Sequence, residues 1–227
     1  MTDPRIIVAI DTSDHEEANF ILDQLDPDLC KIKIGSIIFN SIGKIFLKEV
    51  SKHGFKIFLD LKLHDIPNTV YKTILGFHDC SIDMLTVHLS GGEEMLKKAM
   101  LAGTSINTKI IGVSILTSLE ESDTLALFNN KINSQVRNLF KIAAQSNLDG
   151  VVCSPHELEM SHIILNSDAI KITPGIRDIK VEDDQVRTMS AKEAIDKGAT
   201  HLVIGRPITQ AQDISAALKA FSDSIEK

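Results

Sequence analysis

Residues 58–69 read FLDLKLHDIPNT, an aliphatic run that passes straight into four ionisable side chains, Asp60, Lys62, His64 and Asp65. Burying a lone carboxylate or ammonium is costly unless it is paired. Charge at the end of an apolar strand therefore has two explanations. Either the strand end is solvated, or the charges build a polar site at the mouth of a barrel. Successive side chains of a strand alternate between its faces. That alternation sends Ile57, Leu59 and Leu61 to one side, and Phe58, Asp60 and Lys62 to the other.

Similar runs recur along the whole chain: RIIVAID (5–11), CKIKIG (30–35), KIFLDLK (56–62) and MLTVHL (84–89), followed by KIIGVSIL (109–116), GVVCSP (150–155), AIKITPGI (169–176) and HLVIGRPI (201–208). Each is short, rich in Ile and Val, and suited to a strand buried on both faces. Between them lie stretches such as HEEANFILDQL, IGKIFLKEVSKH and SQVRNLFKIAAQS, whose apolar residues fall at helical spacing. Pro67 stands where a helix can begin, since its missing N–H would be unsatisfied there anyway. Strands alternating with helices specify parallel pairing through right-handed crossovers. Eight such units predict an α/β fold, a single (β/α)8 TIM barrel occupying 1–227 as one catalytic domain. An open doubly wound sheet is the competing architecture.

Composition narrows the function classes. The 227 residues include 24 Lys+Arg against 31 Asp+Glu, a formal charge of −7, which argues against a general nucleic-acid or membrane-surface binder. No apolar run approaches membrane-spanning length, and the opening MTDPRIIVAI lacks the pattern of a secretory signal. Cys30, Cys80 and Cys153 show no CxxC spacing and read as reduced thiols of a cytoplasmic protein.

In a barrel of this kind, polar residues at the C-terminal ends of strands form the active site. The alternation places Asp11, Lys33, Asp60 and Lys62 inward at the ends of the first three strands. Asp60 and Lys62 alone could be a structural ion pair. Adding Lys33, Asp11 and Asp65 makes a two-sign array too dense for that. Lys31 reads as an interior or barrel-bottom ion pair. His64 and His88 lack HxH or HExxH spacing and read as packing or supporting groups rather than metal ligands. SGGEEM (90–95) reads as a tight turn leading into the next helix. At the far end of the chain, TPGIR (173–177) precedes a long polar segment, 178–190, and IGRPIT closes the eighth unit. Loops after strands seven and eight are the usual phosphate site of the barrel. Gly205 allows close backbone approach there, and Arg206 offers a planar fork for phosphate oxygens.

The first quoted stretch resembles the signature FxDxKxxDIxNT of the orotidine 5′-phosphate decarboxylase family, with every fixed position matched. LVIGRPIT, TPGIR and GVSILTS resemble further segments of that family, and the resemblance spans nearly the whole chain. It implies a homodimeric barrel that converts orotidine 5′-phosphate to uridine 5′-phosphate and CO2 in pyrimidine synthesis, with no metal and no organic cofactor. It also implies roles. Lys33, Asp60 and Lys62, with Asp65 from the neighbouring subunit, form the alternating catalytic array. Asp11 and Lys33 hold ribose hydroxyls, Thr69 reaches into the neighbour's site, and Thr117 meets the pyrimidine. Gln185, Gly205 and Arg206 hold phosphate, with Arg177 at the base of a closing loop. Two alternatives stand beside this reading: a Mg-dependent sugar-phosphate decarboxylase or aldolase of the same suprafamily, and a catalytically silent phosphate-binding barrel. The first carries an acidic residue where Lys33 stands, because Mg²⁺ needs oxygen ligands.

Overall fold

The computed structural model describes residues 3–176 and 189–226. Eight parallel strands close on themselves in sequence order: β1 (Ile6–Ile10), β2 (Cys30–Gly35), β3 (Ile57–Leu63), β4 (Ile82–His88), β5 (Lys109–Val113), β6 (Gly150–Val152), β7 (Ile170–Thr173) and β8 (His201–Ile204). Closure is made by β1 against β8, with Ile6 opposite Leu202 and Val8 opposite Ile204. That pairing rules out the open sheet. The eight expected runs all contain a strand, but β5 to β8 stop earlier than their apolar runs, because the chain leaves the barrel at the rim, after β8 into the short helix Arg206–Thr209.

Two apolar layers follow from the alternation. Ile6, Val8, Ile32, Ile34, Ile57 and Leu59 point outward into the main core beneath the helices. Ile7, Phe58, Met84, Ile111 and Ile172 point inward and fill the barrel axis, with Val152, Ile170 and Val203 packed on them. Burying a side chain of this size is worth about 1.5–3 kcal/mol. The helix Pro67–Leu75 begins at Pro67, as its fixed φ favours. Gly92, at φ +83, turns the chain into the helix Glu93–Ser105, the tight turn expected of SGGEEM.

The barrel bottom is closed by charge. Lys31 is fully buried, and its Nζ donates to Asp3 Oδ2 and Asp83 Oδ2, each at 2.7 Å. Lys56 and Lys109 add outer ion pairs to the same carboxylates. Burial works to raise the Asp3 carboxyl, but hydrogen bonds from Lys31 and Lys56 outweigh it and hold it well below the usual range. His201 lies beside this cluster, its Nε2 3.6 Å from Asp3 Oδ2. Burial, with the Lys31 charge adding to it, pushes its imidazole down to about 4.

Candidate active site

A cavity of about 510 Å³ opens at the C-terminal rim of the barrel, lined on one side by Asp11, Lys33, Asp60 and Lys62. Asp11 follows β1, Lys33 lies in β2, and Asp60 and Lys62 lie in β3. Their ends meet in a continuous chain of opposite charges. Lys33 Nζ donates to Asp11 Oδ1 at 2.7 Å and stands 4.0 Å from Asp60 Oδ2. Lys62 Nζ donates to that same Asp60 oxygen at 2.8 Å. The Lys33 and Asp60 side chains are only 11% and 12% exposed, so solvent screens their attraction weakly.

β3 does not reach this site as a regular strand. Between the pairs Leu59–Leu85 and Leu63–Val87 it places three residues where β4 places only Thr86. Lys62 takes a left-handed backbone, φ +50, at this bulge. Asp60 and Lys62 face the cavity and Leu61 packs toward the outer core, as alternation predicts. At Lys62, however, the pleat is broken and the side chain is aimed by the bulge.

The opposite wall is apolar, formed by Val113, Ile115 and Val152, with Thr117 at its edge. Such a wall suits the face of a flat heterocycle. Gly205 and Arg206 line the cavity at the end of β8, next to β1, joined by Thr209 and Gln210. A Cβ on Gly205 would meet only ordinary contact with Ala9, so the protein itself leaves room there. Asp65 and Thr69 do not line the cavity of this chain; both are exposed, and Asp65 Oδ1 accepts the Ile66 amide at 2.6 Å. Arg177 and Gln185 lie outside the described residues.

Beyond Thr209 and Gln210, three residues around the charged array escaped the sequence reading. Thr86 bonds to both Lys62 and Asp60, and its signal was a polar residue inside the apolar run MLTVHL. Gly35 is the second. A Cβ there would lie 3.1 Å from Lys33 Nζ and 3.3 Å from Asp11 Oδ1, so the missing side chain makes room for that ion pair. Glu17, the third, reaches the cavity from the helix His15–Leu22 and accepts the Thr12 hydroxyl at 2.5 Å. The rings of His64 and His88 pack 5.5 Å apart, and neither lines the cavity. Burial lowers the His88 pKa, and His64 and Lys62 push the same way. Among the described residues no group of three His, Cys, Asp or Glu could hold a metal ion, and no helix is long and apolar enough to cross a membrane.

The family model of "Orotidine 5'-phosphate decarboxylase / HUMPS family" matches residues 4–221. The chain is 41% identical to the orotidine 5′-phosphate decarboxylase of Actinobacillus succinogenes, covering 98% of both chains. It is 40% identical to that of Saccharophagus degradans, covering 96% of this chain and 93% of the other. Among solved structures, the orotidine 5′-phosphate decarboxylase of Lactobacillus acidophilus superposes with a TM-score of 0.88 at 35% identity, covering 99% of this chain and 100% of that one.

Proposed function

Since this chain belongs to the orotidine 5′-phosphate decarboxylase / HUMPS family, we propose that its rim array carries out the decarboxylation with Lys62 as proton donor. The protein is a carboxy-lyase of pyrimidine biosynthesis that acts on orotidine 5′-phosphate. The observation that carries the residue assignment is the Asp11–Lys33–Asp60–Lys62 chain of contacts inside the cavity.

Loss of CO2 from C6 leaves an electron pair in the plane of the ring, where the ring cannot delocalise it well. A fixed ammionium aimed at that carbon stabilises the developing charge and can deliver its proton. Lys62 supplies the ammonium. Its proton goes to C6 and gives uridine 5′-phosphate, and Lys62 regains a proton before the next turnover. Asp60 sits beside the departing carboxylate and, with Lys33, keeps the array in alternating sign. The Asp60 carboxylate, 2.8 Å from the Lys62 ammonium, holds that group in place at the cavity wall. Asp11 and Lys33 hold ribose hydroxyls, and Thr117 contacts the pyrimidine at the edge of the apolar wall. Gly205 and Arg206 grip the phosphate, a role in which Arg177 and Gln185 join from the long segment.

The active form is a homodimer in the cytoplasm, in which residues 1–227 act as one catalytic domain. Asp65 and Thr69 serve the neighbouring subunit's site; their exposure, with neither of them lining this chain's own cavity, supports that reading. No metal is needed, because Lys33 puts a cation where Mg²⁺ would require an oxygen ligand. One assay tests the whole: purified protein with orotidine 5′-phosphate and excess chelator, followed by pyrimidine absorbance. Conversion at an unchanged rate is expected. A rate lost to chelation and restored by Mg²⁺ would favour the metal-dependent sugar-phosphate enzymes instead.

A further inference from the structure

The geometry points to Thr86 as a positioning residue that locks the backbone of Lys62 and the carboxylate of Asp60 into one unit. This inference rests on the catalytic reading of those two residues given above. Thr86 is fully buried and is the one β4 residue opposite the three-residue bulge of β3. Its Oγ1 accepts the Lys62 amide at 2.8 Å and donates to Asp60 Oδ1 at 3.0 Å. The direction of both bonds is set by chemistry. A backbone N–H can only donate and a carboxylate can only accept, so the hydroxyl proton must point at Asp60.

Two consequences follow for the site. A left-handed backbone is unfavourable for a non-glycine residue, and the Lys62 amide at φ +50 has turned away from a regular ladder. Thr86 receives that amide and so holds the bulge that aims the ammonium. With Oδ1 engaged by Thr86, Asp60 is left with Oδ2 turned to Lys62 at 2.8 Å and to Lys33 at 4.0 Å. One hydroxyl thereby fixes the lysine through its main chain and the aspartate through its side chain. Preorganisation of this kind acts on the chemical step more than on substrate affinity.

The test compares Thr86→Val, which removes both bonds at nearly constant volume, with Thr86→Ser, which keeps the hydroxyl. Steady-state kinetics on orotidine 5′-phosphate are read together with the thermal melt of each variant. Thr86→Val should lower kcat at least tenfold while KM changes less than threefold, and Thr86→Ser should stay within threefold of wild type in both. Thr86→Val with a wild-type kcat and only a lower melting temperature would overturn the proposal, because Thr86 would then be a packing residue. Thr86→Ser as impaired as Thr86→Val would also overturn it. If Thr86→Val is unfolded at the assay temperature, Thr86→Ala takes its place under the same two criteria. Wild-type protein inactive on orotidine 5′-phosphate would instead strike the underlying functional reading.

Discussion

Lys62 carries two demands in one residue, a left-handed backbone and an ammonium held at 2.8 Å from Asp60. Replacing it separates them. Lys62→Ala should fold and bind nucleotide yet lose decarboxylation by about a thousandfold or more, the scale of losing a positioned acid and its charge together. Near-normal turnover would remove Lys62 from the mechanism. Lys62→Gly should be equally inactive but more stable than Lys62→Ala by about 1 kcal/mol, since glycine adopts positive φ freely. Denaturant midpoints that rank alanine above glycine would contradict the bulged backbone. The identity of Asp60 and Lys62 as rim residues was legible in FLDLKLHDIPNT by counting alternate positions. Their partner Thr86 was not, because it is brought to them across strands. Nor was the steric demand at Gly35, which exists only once Lys33 and Asp11 have met.

The strands show how far local periodicity reaches. β3 was read as a regular pleat, and its cavity-facing residues were identified correctly, although the bulge rather than the pleat aims Lys62. A bulge leaves little trace in hydrophobic pattern because Leu61 within it and Leu63 beside it still pack on the outer core. At the end of β8, glycine and arginine were picked out by their place in the barrel, and both line the cavity. A charge-assisted bond from Arg206 to a phosphate dianion is worth on the order of 2–3 kcal/mol. Arg206→Ala should therefore lower kcat/KM for the nucleotide by roughly a hundredfold. The nucleoside orotidine, which lacks the phosphate, should react slowly and to the same extent with both proteins. If the variant loses orotidine turnover as severely as nucleotide turnover, Arg206 supports the barrel instead of gripping phosphate.

At the scale of the molecule, the two ends of the barrel divide the work. The rim array is built to act, whereas the bottom cluster around Lys31 is built to hold. His201 makes the bottom sensitive to acid. Its folded pKa of about 4 lies below the ordinary 6.5, so the fold favours the neutral ring. Stability is complete above pH 6.5 and declines as pH falls toward 4, because the unfolded chain binds that proton first. The loss over this window is on the order of 3 kcal/mol. His201→Gln should flatten the denaturation profile between pH 6.5 and 4; a slope identical to wild type would clear His201 of the effect. The proposed dimer has its own test. Mixing Asp65→Ala with Lys62→Ala subunits creates heterodimers with one intact site, so random exchange should restore about a quarter of wild-type activity. Two inactive variants that stay inactive after demonstrated exchange would place Asp65 outside the shared site.

Unit count, strand faces and rim charges were determined by the sequence alone, since alternation along a strand and helical spacing are local periods written in every segment. Lys31 could likewise be assigned to a buried pair from its position two residues before Lys33. Closure of the sheet through β1 and β8, the choice of Asp3 and Asp83 as partners of Lys31, and the Thr86 bridge belong to the tertiary structure. Each joins residues whose separation along the chain carries no period. Which side chains meet there is decided by strand register and by the closing of the barrel, and neither exists until the whole chain has folded.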